Sequence, residues 1–287
     1  GLLGRSPDHV SSFVTGMALN AFFPYAVVLG MGISWQAALG AVFISGCLFI
    51  VVTLVGLRGA IVNGIPRSMR VAITVGLGMF LALIALKNAG IVVASEATLV
   101  KAGDLHQPQA IMAVVGFLAI VALDRLKVKG AILIGIVLVT VLSFFFGGNT
   151  YKGIFSAPPS IDPTLFQLDI AGALSAGILN VVLVFFLVEL FDATGTLMGV
   201  ARRAGLLVEG KMERMNKALL ADSGAIVAGS LLGTSSTTAY LEGASGVQAG
   251  GRTGLTALAV AALFLACLFI SPLAGVVPAY ATAPALL

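Results

Sequence analysis

Val181–Val200, VVLVFFLVELFDATGTLMGV, is the stretch on which the fold turns. Its apolar opening runs without interruption into two carboxylates, Glu189 and Asp192, and then into Thr194, Gly195, Thr196 and Gly199. Hydrocarbon does not solvate a carboxylate, so an ionisable pair inside an apolar span faces the protein interior or a wet cavity and marks a substrate, ion or proton site. Residues three apart on a helix share a face, which puts Glu189 and Asp192 on one stripe. Gly195 and Gly199 are four apart and predict a flat ridge for a closely packed second helix. Solvation at the water interface is the alternative, because Arg202 and Arg203 follow closely.

The rest of the composition agrees with a membrane setting. The chain of 287 residues is 59% hydrophobic and 10% charged, with a mean hydropathy of +1.09. Soluble domains lie far below these values, so the expected class is an all-α polytopic membrane protein. Glycine is abundant, with 35 residues, as expected where helices approach closely in lipid and where backbone must break. Cys47 and Cys267 occupy separate apolar spans and read as small core residues, with neither metal spacing nor a disulfide framework. No metal or cofactor is expected. The net charge of +4 follows the membrane in its placement and is no sign of nucleic-acid affinity. The chain starts at Gly1, lacks a signal-peptide pattern, and stops at Ala285-Leu286-Leu287 within an apolar run. A fragment of a longer protein is expected on that ground.

A membrane helix needs about 17–25 apolar residues. Spans are predicted near Ser12–Met31 (broken), Gln36–Leu57, Met69–Ile91, Gln109–Leu123, Gly130–Phe146, Ala171–Leu190, Lys217–Leu232, a short broken piece at Thr234–Val247, and Gly254–Ile270. The segments after the even spans carry Arg58, Arg67, Arg70, Arg125, Lys127, Lys129, Arg202, Arg203, Lys211, Arg214, Lys217 and Arg252. The opposite connections hold Lys87, Lys101 and Lys152 beside several acids. Positive charge stays inside, so the even loops are assigned to the cytoplasm. Val92–Pro108 and Gly147–Asp169 are expected to be polar outer loops, with His106 solvated and Trp35 an interface anchor.

Two stretches resist reading as plain helices. Phe13–Pro24 carries Gly16, Asn20 and Pro24, and Gly233–Gly246 carries a Ser/Thr run, Tyr240 and Glu242. Broken backbone at membrane depth is tolerated only where protein buries it or a cavity borders it. A pair of such segments in two halves of a chain points to a transporter site. The half-helix after each break offers free N–H groups and a positive dipole end. The bland alternative for the Ser/Thr run is a polar packing face.

Four motifs, taken together, resemble the AzgA-like purine permeases of the nucleobase–cation symporter superfamily. They are GMALNAFFPYAVVLGMGISWQAALGAVFISG at Gly16–Gly46, GLRGAIVNGIPRSMR at Gly56–Arg70, LVELFDATGTLMGVA at Leu187–Ala201 and GTSSTTAYLEGASGVQAGGRTGLTAL at Gly233–Leu258. The resemblance implies fourteen membrane segments in two inverted repeats of seven, with each broken segment built as a short strand plus a half-helix. It implies that residues 1–57 and 166–272 form a core domain, 58–165 a gate domain and 273–287 the start of a second gate half. It also implies a multi-pass protein of the cell membrane, and a homodimer joined through the gate. Asn20, Glu189, Asp192 and Glu242 match the family's functional polar positions. The first acid of the pair is commonly Asp there, and the family reads APGMGLNA where this chain has VTGMALNA.

The implied activity is import of adenine, guanine or hypoxanthine with a proton. A purine ring needs both acceptors and donors in one plane. Glu189 and Glu242 would accept from its N–H edges, with Asn20, Ser236, Thr237 and half-helix amides serving its acceptors. Phe22 or Tyr240 would stack on the ring. Glu189, Asp192 and Glu242 would couple the proton. An inorganic-anion transporter of the same overall fold is the principal alternative, although carboxylates crowd the expected site. Phe191-Asp-Ala-Thr-Gly-Thr196 superficially resembles a P-type ATPase motif, but the Lys is absent and the stretch continues a membrane span, so no enzyme is expected.

Overall fold

The computed structural model describes residues 13–15, 17–57, 61, 66–95, 98–128, 130–146, 153–158, 160–175, 177–204, 207–208, 211–212, 215–240, 251 and 253–286. Glu242, the half-helix expected after the second break, and Gly16, Arg58, Lys129, Lys152, Arg214 and Arg252 lie outside them.

Strand β1 (Phe13–Thr15) leads into helix α1 (Met17–Ala21), which widens into π-type turns over Phe22–Gly30. Pro24 lies in those turns, and its missing N–H and bulky ring are a physical cause of the widening. Helix α2 (Trp35–Leu54) starts at Ser34, whose hydroxyl accepts from the Ala37 N–H at 3.3 Å. Helix α3 (Arg67–Asn88) is followed by strands β2 (Val92–Ser95) and β3 (Leu99–Ala102). Helix α4 (Pro108–Arg125) places proline in its first turn, where no N–H is needed. Helices α5 (Ala131–Phe146), α6 (Ile170–Ala173) and α7 (Leu179–Ala204) come next, then the two-residue strands β4 (Leu207–Val208) and β5 (Lys211–Met212). Helix α8 (Met215–Leu231), strand β6 (Thr237–Ala239), and helices α9 (Gly254–Cys267), α10 (Ser271–Gly275) and α11 (Ala279–Leu286) complete the described chain. Trp35–Leu54, Pro108–Arg125, Leu179–Ala201 and Gly254–Gly275 are long and apolar enough to cross a membrane.

Two compact units emerge. The first comprises Gly1–Ile73 with Pro159–Leu265, the second Thr74–Pro158 with Ala266–Leu287. In the first, Leu19, Val42, Phe49, Phe185, Leu190 and Ile226 form the centre of a buried apolar cluster. Lipid tails are as apolar as leucine, so helices associate there through close fit rather than through escape from water. Gly46 supplies that fit between α2 and α8: a Cβ on it would lie 2.9 Å from Ile226 Cγ2 and 3.0 Å from Val227 Cγ2. Gly40 does the same where α2 meets the chain ahead of α6, since a Cβ there would strike the Asp169 carbonyl oxygen. Asp169 is held by its own N–H, which donates to Gln36 O at 2.9 Å, and by its carboxylate, which accepts from Gly172 N at 2.9 Å.

The second unit packs α11 against α4 and α5 around Ala85, Met112, Val139, Tyr280 and Ala281. A cavity of about 500 Å³ in this unit is bordered by Phe144, Leu273, Val277 and other apolar side chains, with Thr140 beside them. It offers almost no polar group to orient a planar, hydrogen-bonding ligand.

Several expectations need correction. The span predicted at Ala171–Leu190 is two helices, α6 and α7, separated where Gly177 gives no side chain to hold a helix. As a result Glu189 and Asp192 sit in the middle of α7 rather than at the end of a span. Gly195 is exposed, and a Cβ on it would meet nothing within 4 Å among the described residues, so it does not pack closely there, whereas Gly40 and Gly46 do. Cys267 is exposed and Cys47 only half-buried, so neither is a core residue. Apolar exposure carries no cost against lipid, and Leu263, Phe264 and Leu265 beside Cys267 are exposed as well. Finally, Val92–Ala102 is an antiparallel hairpin, not a plain loop, pairing Val92 with Ala102 and Ser95 with Leu99. Its β-branched Val92, Val93 and Val100 favour that state.

Candidate functional site

The two broken segments meet. Strands β1 and β6 pair antiparallel, with Phe13 opposite Ala239, Val14 opposite Thr238 and Thr15 opposite Thr237. Each is a three-residue piece rich in β-branched residues and too short to stand alone. Pairing satisfies backbone groups that an interrupted helix would leave bare. The pairing delivers the residues that flank each strand to one place.

Glu189 projects from α7 and is fully buried, at 0% exposure. The Ser45 hydroxyl of α2 donates to Glu189 Oε2 at 2.7 Å. The Ser236 hydroxyl, also buried, lies beside the same carboxyl. Neither Glu189 Oε1 nor Ser236 Oγ makes a hydrogen bond of ordinary geometry within the described residues. Leaving a buried polar group so is costly, about 1–3 kcal/mol, and it leaves an acceptor and a hydroxyl able to meet a ligand. The neighbouring Ser235 hydroxyl donates to Asn20 Oδ1 at 2.8 Å. Consecutive serines therefore stand against two elements, Ser235 bonded to Asn20 on α1 and Ser236 beside Glu189 on α7.

The remaining predicted residues are placed as follows. Asp192 is half-buried, near enough to Glu189 for their charges to interact. Phe22 is half-buried with its ring edge-on to Phe185, centroids 5.6 Å apart at 80°. Thr237 opens β6, and its buried Oγ1 makes no hydrogen bond of ordinary geometry within the described residues. Tyr240 follows β6 and is half-buried. Glu242 lies outside the described residues.

Three polar residues of the structure are not among those the sequence singles out. Ser45 lies within an apolar, glycine-bearing helix, and Ser235 stands in the same run as Ser236 and Thr237. Asp222 is the larger omission. Fully buried on α8, it accepts from the Ala239 N–H at 3.1 Å through Oδ1. The signal was available, since a carboxylate inside MNKALLADSGAIVAGSL meets the criterion that singled out Glu189.

Apolar helices of membrane length, with paired broken strands beside a buried carboxyl, define a membrane-transporter fold. The transmembrane domain of the cyanobacterial bicarbonate transporter BicA has that fold, superposing with a TM-score of 0.70 at 19% identity over 98% of this chain and 75% of its own. The family model described as the Permease family (Xan_ur_permease) matches residues 10–287, and the chain belongs to that family. Adenine permease AdeP of Escherichia coli (strain K12) is 46% identical over 287 residues, which is 100% of this chain and 64% of AdeP. Guanine/hypoxanthine permease PbuG of Bacillus subtilis (strain 168) is 43% identical over 290 residues, 100% of this chain and 65% of PbuG. The chain thus spans a little under two-thirds of the length of these relatives. The family is one of permeases rather than enzymes, and the chain is a multi-pass integral membrane protein of the plasma membrane.

Proposed function

We propose that this protein is a purine nucleobase transporter that carries adenine, guanine or hypoxanthine inward with a proton. One observation supports it above the others: a fully buried carboxyl, Glu189, is held on one oxygen by Ser45 and lies beside the buried Ser236, whose neighbour Ser235 is bonded to Asn20. A purine's N–H edge suits the second carboxyl oxygen, and its ring acceptors suit hydroxyl and amide donors from Ser236, Thr237 and Asn20. Phe22 and Tyr240 would offer aromatic faces to the ring, and Asp192 and Glu242 would be the further acids. A carboxyl group can carry a proton as well as a hydrogen bond, so one group can link the two cargoes: protonation and substrate each alter the affinity for the other. The relatives named above for adenine and for guanine/hypoxanthine support the substrate class.

The architecture belonging to this proposal has residues 1–57 and 166–272 as the core domain, 58–165 as the gate, and 273–287 as the start of a second gate half within a seven-plus-seven inverted repeat. The protein would act as a homodimer. An anion carrier is not favoured: the site is built around a carboxylate, which repels the cargo such a carrier must hold.

Uptake of radiolabelled adenine, guanine, hypoxanthine and uracil by the full-length protein, in cells without their own permeases, tests the proposal. A purine should accumulate and a protonophore should collapse that accumulation. Movement of sulfate or bicarbonate with no nucleobase would overturn it. Glu242→Gln should abolish uptake while insertion into the membrane stays normal.

A further inference from the structure

We propose that Asp222 is a positioning residue of the nucleobase site: its carboxylate holds strand β6 in the register that brings Ser235 to Asn20 and Ser236 to Glu189. The inference rests on the transport reading above, although Asp222 itself belongs to none of the groups assigned to substrate or proton there.

The geometry is specific. Strand β6 has three residues and one strand partner, β1. In an antiparallel pair, successive N–H groups point alternately toward and away from the partner strand. The Ala239 N–H reaches Asp222 Oδ1 at 3.1 Å, so it points away from β1 and toward α8. An open strand edge at membrane depth would leave that donor bare, with no water there to replace the partner.

The surroundings make the bond decisive. Leu197, Ala218, Leu219, Ala221 and Ala239 form an apolar cluster around this contact, and a hydrogen bond in a dry setting is electrostatically stronger than in water. A carboxylate is an expensive acceptor to keep at membrane depth. What it offers is a side chain of defined reach from a rigid helix. That helix is itself locked to α2 at Gly46, where Ile226 and Val227 leave no room for a Cβ. Helix α2 also carries Ser45, the partner of Glu189. Through Asp222, the strand that directly follows the two serines and the helix orienting the carboxyl are therefore set against one framework. A shift of β6 by a fraction of its rise per residue, about 3.3 Å, would break both serine contacts, because consecutive residues make them.

Asp222→Ala, Asp222→Asn and Asp222→Glu in the full-length protein test this, with membrane-inserted protein quantified for each. The readouts are KM and maximal rate for whichever of the three purines the wild type accumulates, and hydrogen exchange at the Ala239 amide in purified protein. Asp222→Ala should raise KM at least tenfold with little change in maximal rate, and should speed exchange at Ala239. Asp222→Asn keeps the Oδ1 acceptor and should recover most of that loss. Asp222→Glu keeps the charge but displaces the strand by a methylene, and should raise KM like alanine. The inference is overturned if Asp222→Ala and Asp222→Glu keep KM within twofold of wild type, or if Asp222→Asn is as impaired as alanine. Should alanine fail to insert, the contrast between Asn and Glu decides alone. Should the wild type move no purine, the transport reading falls, and exchange at Ala239 in the same variants decides whether Asp222 holds the strand.

Discussion

Replacing Ser45 with alanine tests how the buried carboxyl is held. Ser45 Oγ donates to Glu189 Oε2 at 2.7 Å, both residues are at 0% exposure, and Glu189 Oε1 has no hydrogen bond of ordinary geometry within the described residues. Alanine removes a hydroxyl without adding volume, so overpacking does not enter. What is lost is a donor to a buried carboxyl, at a cost of about 1–3 kcal/mol. At roughly 1.4 kcal/mol per tenfold, that corresponds to a factor of about 5 to 150. The loss should fall on substrate affinity, because the freed carboxyl can rotate away from Ser236 and from the place a ligand N–H would occupy. The assay is the KM for purine uptake by the full-length protein, normalised to membrane-inserted protein, with Ser45→Thr as the control that keeps a hydroxyl. A KM within twofold of wild type in Ser45→Ala, alongside a Glu189→Gln variant that cannot accumulate purine, would refute the orienting role and leave Ser45 as mere packing.

Glu189→Gln keeps an acceptor oxygen but cannot carry a proton. It should retain exchange of bound purine while losing accumulation against a gradient, and protonophore-sensitive accumulation in this variant would remove Glu189 from proton coupling. Asn20→Ala deletes the acceptor for Ser235 and should raise KM, whereas Asn20→Asp, which keeps Oδ1, should be milder; equal effects would show that the Ser235 contact is irrelevant. Gly40→Ala sets a Cβ against the Asp169 carbonyl oxygen and 2.9 Å from Ala173 Cβ. Overpacking of about 1–3 kcal/mol and a strained Asp169–Gln36 hydrogen bond worth about 1 kcal/mol then exceed the ~1 kcal/mol gain in helix propensity. Gly195→Ala keeps only the gain, so in thermal melts the two substitutions should shift the midpoint in opposite directions.

Membrane class, the helical spans and the two interrupted stretches were legible in the sequence because each depends on local composition. An apolar run of membrane length, a carboxylate within it, or a Gly/Pro/Asn break has the same meaning wherever the chain goes next. Glu189 could be found that way, and Asp222 could have been. The helix break near Gly177 and the β2–β3 hairpin were less visible, since three valines without alternation in a short stretch signal strand only weakly.

Partners were decided by the tertiary structure alone. Nothing local to Ser45 connects it to a carboxylate 144 residues away, nor Ser235 to an asparagine 215 residues away. The glycines illustrate the same division: spacing singles out Gly195 with Gly199, yet Gly195 faces open space while Gly40 and Gly46 are closely faced by another segment. Hydropathy determines that a helix is buried in a membrane, but which face meets which neighbour depends on close fit summed over elements far apart in sequence, and that fit exists only once the chain has folded.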